Sequence, residues 1–310
     1  MKTLFYLLLF CPVLLTAQET LSEKNYRVYS VKQAKEVSLN EIADDMKNYD
    51  VLFLGEEHND SVTHYLEKTM FGLLHARYGT NMALSMEMFD RDVQPVMNEY
   101  LQGFIREKNF TKDARVWSNY RDYRPMVEFA KEKKLDVVCA NAAGRYSNLA
   151  GRKGQKALAE LPAESKKFFA PLPYDTASGE YYKKLMDLTG HSAPDTAKKD
   201  TAKAKPAPMM MGNFNLIMGQ SLWDATMAYS ISEYLKKNKG KKVMQVNGRF
   251  HSDEGFAIVA QLTKYNPKAK PLIISTASDD AFPKIDWSKY KKNGDYIIIT
   301  DPKVPKTYED

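Results

Sequence analysis

The sequence predicts a doubly wound α/β fold, a largely parallel sheet covered by helices on both faces, with a helical lid insertion. Three observations predict it. Six apolar runs, "VLFL" (51–54), "MALSMEMF" (82–89), "LDVVCA" (135–140), "KVMQVNG" (242–248), "PLIIST" (271–276) and "YIIIT" (296–300), are mostly continuous rather than alternating, as in strands buried on both faces. Helical patterns lie between them. One stretch of the chain, after residue 144, breaks the alternation.

Residues 1–17, in "MKTLFYLLLFCPVLLTAQET", read as an export leader: Lys2 supplies the charged start, Leu4 to Leu15 the apolar segment, and "LTA" a cleavage site before Gln18. The apolar run of about a dozen residues is too short to span a bilayer comfortably. Cys11 raises lipidation, but Phe10 stands where a lipid-attachment signal needs a small residue, so the lipobox is poor. The expected location is therefore exported, periplasmic or cell-surface associated. Removal of the leader leaves Cys139 as the one cysteine, which excludes an intramolecular disulfide. In "LDVVCAN" it reads as a small packed hydrophobe.

The first strand, 51–54, runs into "GEEHNDSVTH". Asp60 or Ser61 caps the helix that follows, and Gly79 ends it. His64 then falls in the first turn. His75 lies eleven residues further along, about 16 Å down the helix, and reads as structural. "QPVMNEYLQGFI" and "RPMVEFAKEKK" are helical and follow the second strand, while "SLWDATMAYSISEYLKKNKG" precedes the fourth. Residues 18–144 and 209–310 thus form the α/β core. Residues 145–190, rich in tyrosine and marked by "FFAPLPYD", read as a helical lid over the sheet's rim. Residues 191–208, an Ala/Lys/Pro/Thr stretch without apolar periodicity, read as a flexible loop.

The 310 residues suffice for one large domain, with 44% apolar and 27% charged residues in the ordinary globular range. The formal charge of +6 is spread, without a basic helix or arginine block, and nucleic acid is excluded as a partner.

The chemistry gathers at strand ends, because an open parallel sheet binds ligands beyond the carboxyl ends of its strands. The first strand delivers Glu56 and His58, the second Glu87, the third Asn141, and the fourth ends in "NGRFHSDEG" with His251; His64 flanks them. Two chemistries use such a set. His58, Glu87 and His251 can ligate a divalent metal with a position left open for water. Without metal, a His/Glu pair is a general acid and base. As a hydrolase, an esterase or peptidase, the chain would use Glu56, His58, Glu87 and His251. The structural alternative is a hydrogen-bonded network that closes the sheet end.

Five blocks in order, "GEEHNDSVTHY", "SMEMFDRDVQPVMNEYLQG", "WSNYRDYRPMVEFAKEKKLDVVCANAAGR", "QSLWDATMAYSI" and "NGRFHSDEG", resemble the ChaN-like family of exported haem-binding proteins over about residues 45 to 260. The resemblance implies a Rossmann-like core with a helical lid and a role in bacterial iron acquisition. The wider superfamily is similar to Tiki-type metalloproteases and erythromycin esterases. On this likeness Gly55, Glu56 and His58 match the first motif, Glu87 the second and His251 the final histidine, while Gln94 and Arg145 match positions flanking the pocket. The implied ligand is haem or an iron compound. Outer-membrane uptake machinery and a second copy of the chain are the candidate partners. A porphyrin needs an apolar slot, an axial His or Tyr, and cations for its propionates. His58, His64, Arg145, Tyr146, Tyr181, Tyr182 and His251 are the candidate cofactor-binding residues. Whether the chain also catalyses a reaction stays open at this point.

Overall fold

The computed structural model describes residues 21–188 and 211–308. The expected leader (1–17) and the expected loop (191–208) lie outside the described residues. The strands are β1 Tyr26–Ser30, β2 Lys35–Glu36, β3 Val51–Glu56, β4 Met82–Asp90, β5 Asp136–Asn141, β6 Lys242–Gly248, β7 Pro271–Ser278 and β8 Tyr296–Thr300. They form one sheet in the order β2-β1-β8-β7-β3-β6-β4-β5. The neighbours from β8 to β5 are all parallel, whereas β1 and β2 add an antiparallel edge beside β8.

The continuous apolar runs follow from burial on both faces. In β3, Leu52 and Leu54 face one core, with Leu66, Met70 and Phe71 of helix α2 (Ser61–Tyr78) and Val127 of α5 (Tyr120–Lys133). Val51 and Phe53 face the other, with Met227 and Ile231 of α9 (Met211–Lys237) and Ile258 and Leu262 of α10 (Ala257–Tyr265). The period of two along a strand makes both sets apolar at once. The first core also takes in Leu39 and Ile42 of α1 (Leu39–Asp45), Met97 of α3 (Gln94–Leu101) and Phe110 of α4 (Glu107–Asp113). Cys139 is buried in it, and burial pushes its thiol well above the ordinary range.

The antiparallel edge was not legible as an apolar run, because "YRVYS" mixes Arg27 and Ser30 into a strand of only five residues. Helix α1 carries a cap that sequence reading passed over. The Ser38 side chain accepts from Glu41 N, while Glu41 accepts from Ser38 N, the reciprocal arrangement that satisfies two free donors.

After β5, α6 (Gly144–Ala159) packs with Phe169 and Tyr174 against Leu222 and Ala225 of α9, and the one-turn α7 (Ala163–Lys166) between them buries no residue. Helix α8 (Gly179–Leu188) sets Tyr181, Leu185 and Met186 against Ile217 and Ala257, beside Phe250 and Phe256. Thus α8 lies over the exit of β6. Among the described residues no helix is long and apolar enough to cross a membrane.

The chain leaves β3 through α2 on one face to reach β4, and leaves β6 through α10 on the other face to reach β7. The connections diverge around the neighbours β3 and β6, which opens a crevice at their carboxyl ends.

Candidate functional site

His58 follows β3 and is held from below. Its Nδ1 lies 2.7 Å from Glu56 Oε1, and the Tyr123 hydroxyl donates to the same oxygen at 2.7 Å. The edge of Trp117 packs on the imidazole at 5.3 Å. The side chain is 36% exposed, and Nε2 makes no hydrogen bond among the described residues. Burial pulls the His58 pKa down, but the Glu56 hydrogen bond and charge outweigh it and the net shift is upward. Space for the ring depends on Gly248: a Cβ there would stand 2.8 Å from His58 Nε2 and 3.1 Å from Cε1.

His64 sits deeper. Asp60 caps α2 by accepting from Val62 N at 2.8 Å and Thr63 N at 3.3 Å, which places His64 in the first turn. Its Nε2 lies 3.1 Å from the His58 carbonyl oxygen, and its Nδ1 lies 3.2 Å from Glu67 Oε2 and 3.3 Å from Glu56 Oε2. Burial opposes ionisation of Glu56, but the His58 hydrogen bond, the adjacent Glu67 carboxyl and the two histidine charges hold it down at about 2. Burial and the Glu56 charge push Glu67 well up. Burial lowers His64, yet the two carboxylates raise it to about 10.

His251 forms a second buried group. Nδ1 lies 2.6 Å from Asp224 Oδ1 and Nε2 3.4 Å from Glu87 Oε1. Tyr181 of α8 donates to Asp224 Oδ2 at 2.7 Å, and Gly248 N donates to Glu87 Oε2 at 2.8 Å. Burial works against the imidazolium, but the two carboxylates raise His251 well above the ordinary range; burial likewise raises Asp224. The stabilisation from His251 is full below its ordinary value, about pH 6.5. It is lost as pH rises through the higher folded-state value. Melting temperatures of the wild type should therefore fall between about pH 7 and the alkaline range, and more steeply than those of His251→Gln. Equal slopes would show that the imidazolium, facing Asp224 and Glu87 with Tyr181 behind, does not set the dependence.

The expected strand-end residues thus come to one rim as two linked groups. Glu56 and His58 stand on β3 and its exit, Glu87 and His251 across β4 and the exit of β6, and Gly248 touches both. Of the expected metal set, His251 has Nδ1 on Asp224 and Nε2 3.4 Å from Glu87 Oε1, while His58 has Nδ1 on Glu56 and keeps Nε2 as its remaining donor. The described residues place Glu56, His64 and Glu67 as a group that could hold a metal ion.

The candidate cofactor residues separate. His64, Tyr181 and His251 are tied into buried networks. Arg145 and Tyr146 lie elsewhere: Arg145 pairs with Asp92 at 2.6 Å and stacks 4.4 Å above the Tyr146 ring, which packs on Phe169. Gln94 bonds the free edge of β5 at Val137 O and Cys139 N. His58 and Tyr182 remain partly exposed, and the Tyr182 hydroxyl makes no hydrogen bond among the described residues. Between rim and α8 lies a cavity of about 490 Å³ lined by Tyr181, Phe250 and Phe256, with Arg249 and Lys184 at its border. Arg249 pairs with Asp253 at 2.8 Å, and Lys184 pairs with Glu254.

Sequence reading missed Glu67, Tyr123 and Asp224. Glu67 stands at i+3 from His64, the spacing of neighbours on a helix. Asp224 was signalled as the acidic residue within the apolar pattern "SLWDATMAYSI". Tyr123 carried no such signal, since "YRDYRPM" offers two tyrosines of equal standing.

Residues 42–262 match a family described as haem-binding uptake, Tiki superfamily, ChaN. Among solved structures, one titled "Cofacial heme binding to ChaN of Campylobacter jejuni" aligns over 90% of this chain and 98% of its own, at 17% identity and a TM-score of 0.66. An erythromycin esterase mutant, EreC in its open conformation, aligns over 90% and 99% at 9% identity and a TM-score of 0.48. The type III effector HopBA1 aligns over 85% and 93% at 11% identity and a TM-score of 0.44. The first shares the fold of this chain. No curated protein matches the sequence.

Proposed function

The chain belongs to the haem-binding uptake family, Tiki superfamily, ChaN, and from that premise we propose that it binds haem between the carboxyl rim of its sheet and helix α8, as an exported protein of bacterial iron acquisition. The observation that carries this reading is the make-up of that crevice. Haem requires an apolar slot, cations for its propionates and an axial donor. Tyr181, Phe250 and Phe256 supply aromatic surface, and Arg249 and Lys184 are the cations beside it, set among Glu57, Asp187 and Asp253, so that a propionate would exchange with the acids that now pair with them. Outside the lining of that cavity, His58 at the exit of β3 and Tyr182 on α8 are the two candidate ligands that keep a donor atom unengaged.

The protein's own contribution is to hold those donors. Glu56 bonds His58 Nδ1, which directs Nε2 as the remaining ligand atom. Tyr181 anchors α8 to Asp224 and so fixes where Tyr182 stands. Titration with hemin is expected to give a saturable Soret shift. His58→Ala or Tyr182→Phe should weaken it tenfold or more, about 1.4 kcal/mol per factor of ten, and Arg249→Ala by a smaller factor. Non-saturable binding, indifferent to all three, overturns the reading.

One observation favours a second function. A carboxylate orients His58 through Nδ1 and leaves Nε2 open, which is the arrangement of a general base. Glu56→Gln distinguishes the two: it should reduce hemin affinity less than His58→Ala does, but should abolish a hydrolytic turnover.

A further inference from the structure

We propose that Glu56 Oε2, His64 Nδ1 and Glu67 Oε2 form a buried site for one divalent transition-metal ion beneath His58. The three donor atoms lie within 4.8 Å of one another. His64 Nδ1 is 3.3 Å from the Glu56 oxygen and 3.2 Å from the Glu67 oxygen. Ligands at about 2.0–2.1 Å from a tetrahedral ion stand roughly 3.3 Å apart, so both edges have the length such an ion requires.

Each donor is also prepared by what holds its other end. His64 Nε2 donates to the His58 carbonyl oxygen at 3.1 Å, and the Tyr123 ring packs edge-on at 5.0 Å. A metal-binding histidine is commonly oriented in this way, with its second nitrogen on a backbone carbonyl. In Glu56, Oε1 serves His58 and Tyr123, while the buried Oε2 has no hydrogen-bond partner, and neither has Glu67 Oε1. Glu56 and Glu67 are 1% and 0% exposed. Two carboxylates so deeply buried need balancing protons or a cation, and a divalent cation beside a neutral imidazole takes the place of the protons on His64 and Glu67.

One imidazole and two carboxylates, without thiolate, suit Zn²⁺, Mn²⁺ or Fe²⁺, whereas Ca²⁺ and Mg²⁺ favour all-oxygen shells. The site is closed, with His64 7% exposed, so its ion would be acquired with folding and exchange slowly. Its place in the molecule makes it a positioning centre. An ion on Oε2 fixes Glu56, whose Oε1 in turn pins His58.

The test is the content of non-haem metal in full-length protein purified from haem-free cultures, grown with zinc chloride or with cobalt chloride in its place. The expected result is one ion per chain, with the intense visible absorption of tetrahedral cobalt in the cobalt-grown protein. His64→Gln and Glu67→Gln should lose the ion, and Glu87→Gln should keep it. A chelator applied during unfolding and refolding should lower the melting temperature of the wild type and leave that of Glu67→Gln unchanged. Wild-type protein with less than a tenth of an ion per chain, and with melting indifferent to zinc and chelator, would show a cluster held together by protons alone. Metal lost from Glu87→Gln but kept in His64→Gln would overturn the assignment equally. The wild-type measurement decides the first point even where a variant fails to fold, and hemin titration decides the haem reading independently.

Discussion

Asp224→Ala is expected to lower stability by about 3–5 kcal/mol, the cost of breaking a buried ion pair from one side. Asp224 is 1% exposed on α9 and accepts from both His251 and Tyr181. Its removal leaves His251, 6% exposed, with Glu87 alone at 3.4 Å, and leaves the Tyr181 hydroxyl without an acceptor. Both effects fall on the junction between α8 and the rim. Asp224→Asn should lose less, because the amide oxygen still accepts from Tyr181 while the charge on His251 goes uncompensated. Urea unfolding measures both. Should Asp224→Ala unfold within about 1 kcal/mol of the wild type, well under the cost of a broken buried pair, the network does not tie α8 to the sheet.

Gly248→Ala is expected to weaken hemin binding about as much as His58→Ala, tenfold or more, while the protein stays folded. Gly248 has φ −52 and ψ 131, which alanine adopts without strain. The added methyl would meet the His58 imidazole at 2.8 Å, closer than van der Waals contact permits, and the free end of a side chain gives way more readily than backbone. The ring must swing from Glu56, so the proposed ligand atom, Nε2, leaves its place. In a His58→Ala background the same substitution should have no further effect, the non-additivity expected of two changes acting through one group. Full hemin affinity in Gly248→Ala with an unmoved Soret band would remove His58 from the ligand set.

Much of the fold was legible in the residues. The six continuous runs became six parallel strands because helices cover both faces, and burial on both sides keeps most strand positions apolar, with Ser85, Gln245 and Ser275 as buried polar exceptions. Asp60 and Gly79 marked the ends of α2 through local chemistry, an acceptor for free amides at one end and a φ of 54 at the other. The edge pair β1 and β2 was not legible, since its pairing depends on β8 at the far end of the chain. His75 was legible as structural from its distance along α2, and it packs against Phe129 at 5.4 Å.

The candidate site divided differently. The sequence by itself determined that Glu56, His58, Glu87 and His251 arrive at one rim, because each lies in or just after the carboxyl half of a strand and parallel strands end on the same side. Only the tertiary structure decided who faces whom. The order β3-β6-β4 inserts the fourth run between the first two, so Glu87 reaches Gly248 and His251 rather than Glu56. Packing of α2, α5 and α9 on the two faces then brought Glu67, Tyr123 and Asp224 in as partners. Strand order and helix packing are set by how whole surfaces fit, whereas a run of residues records only which of its own positions are buried.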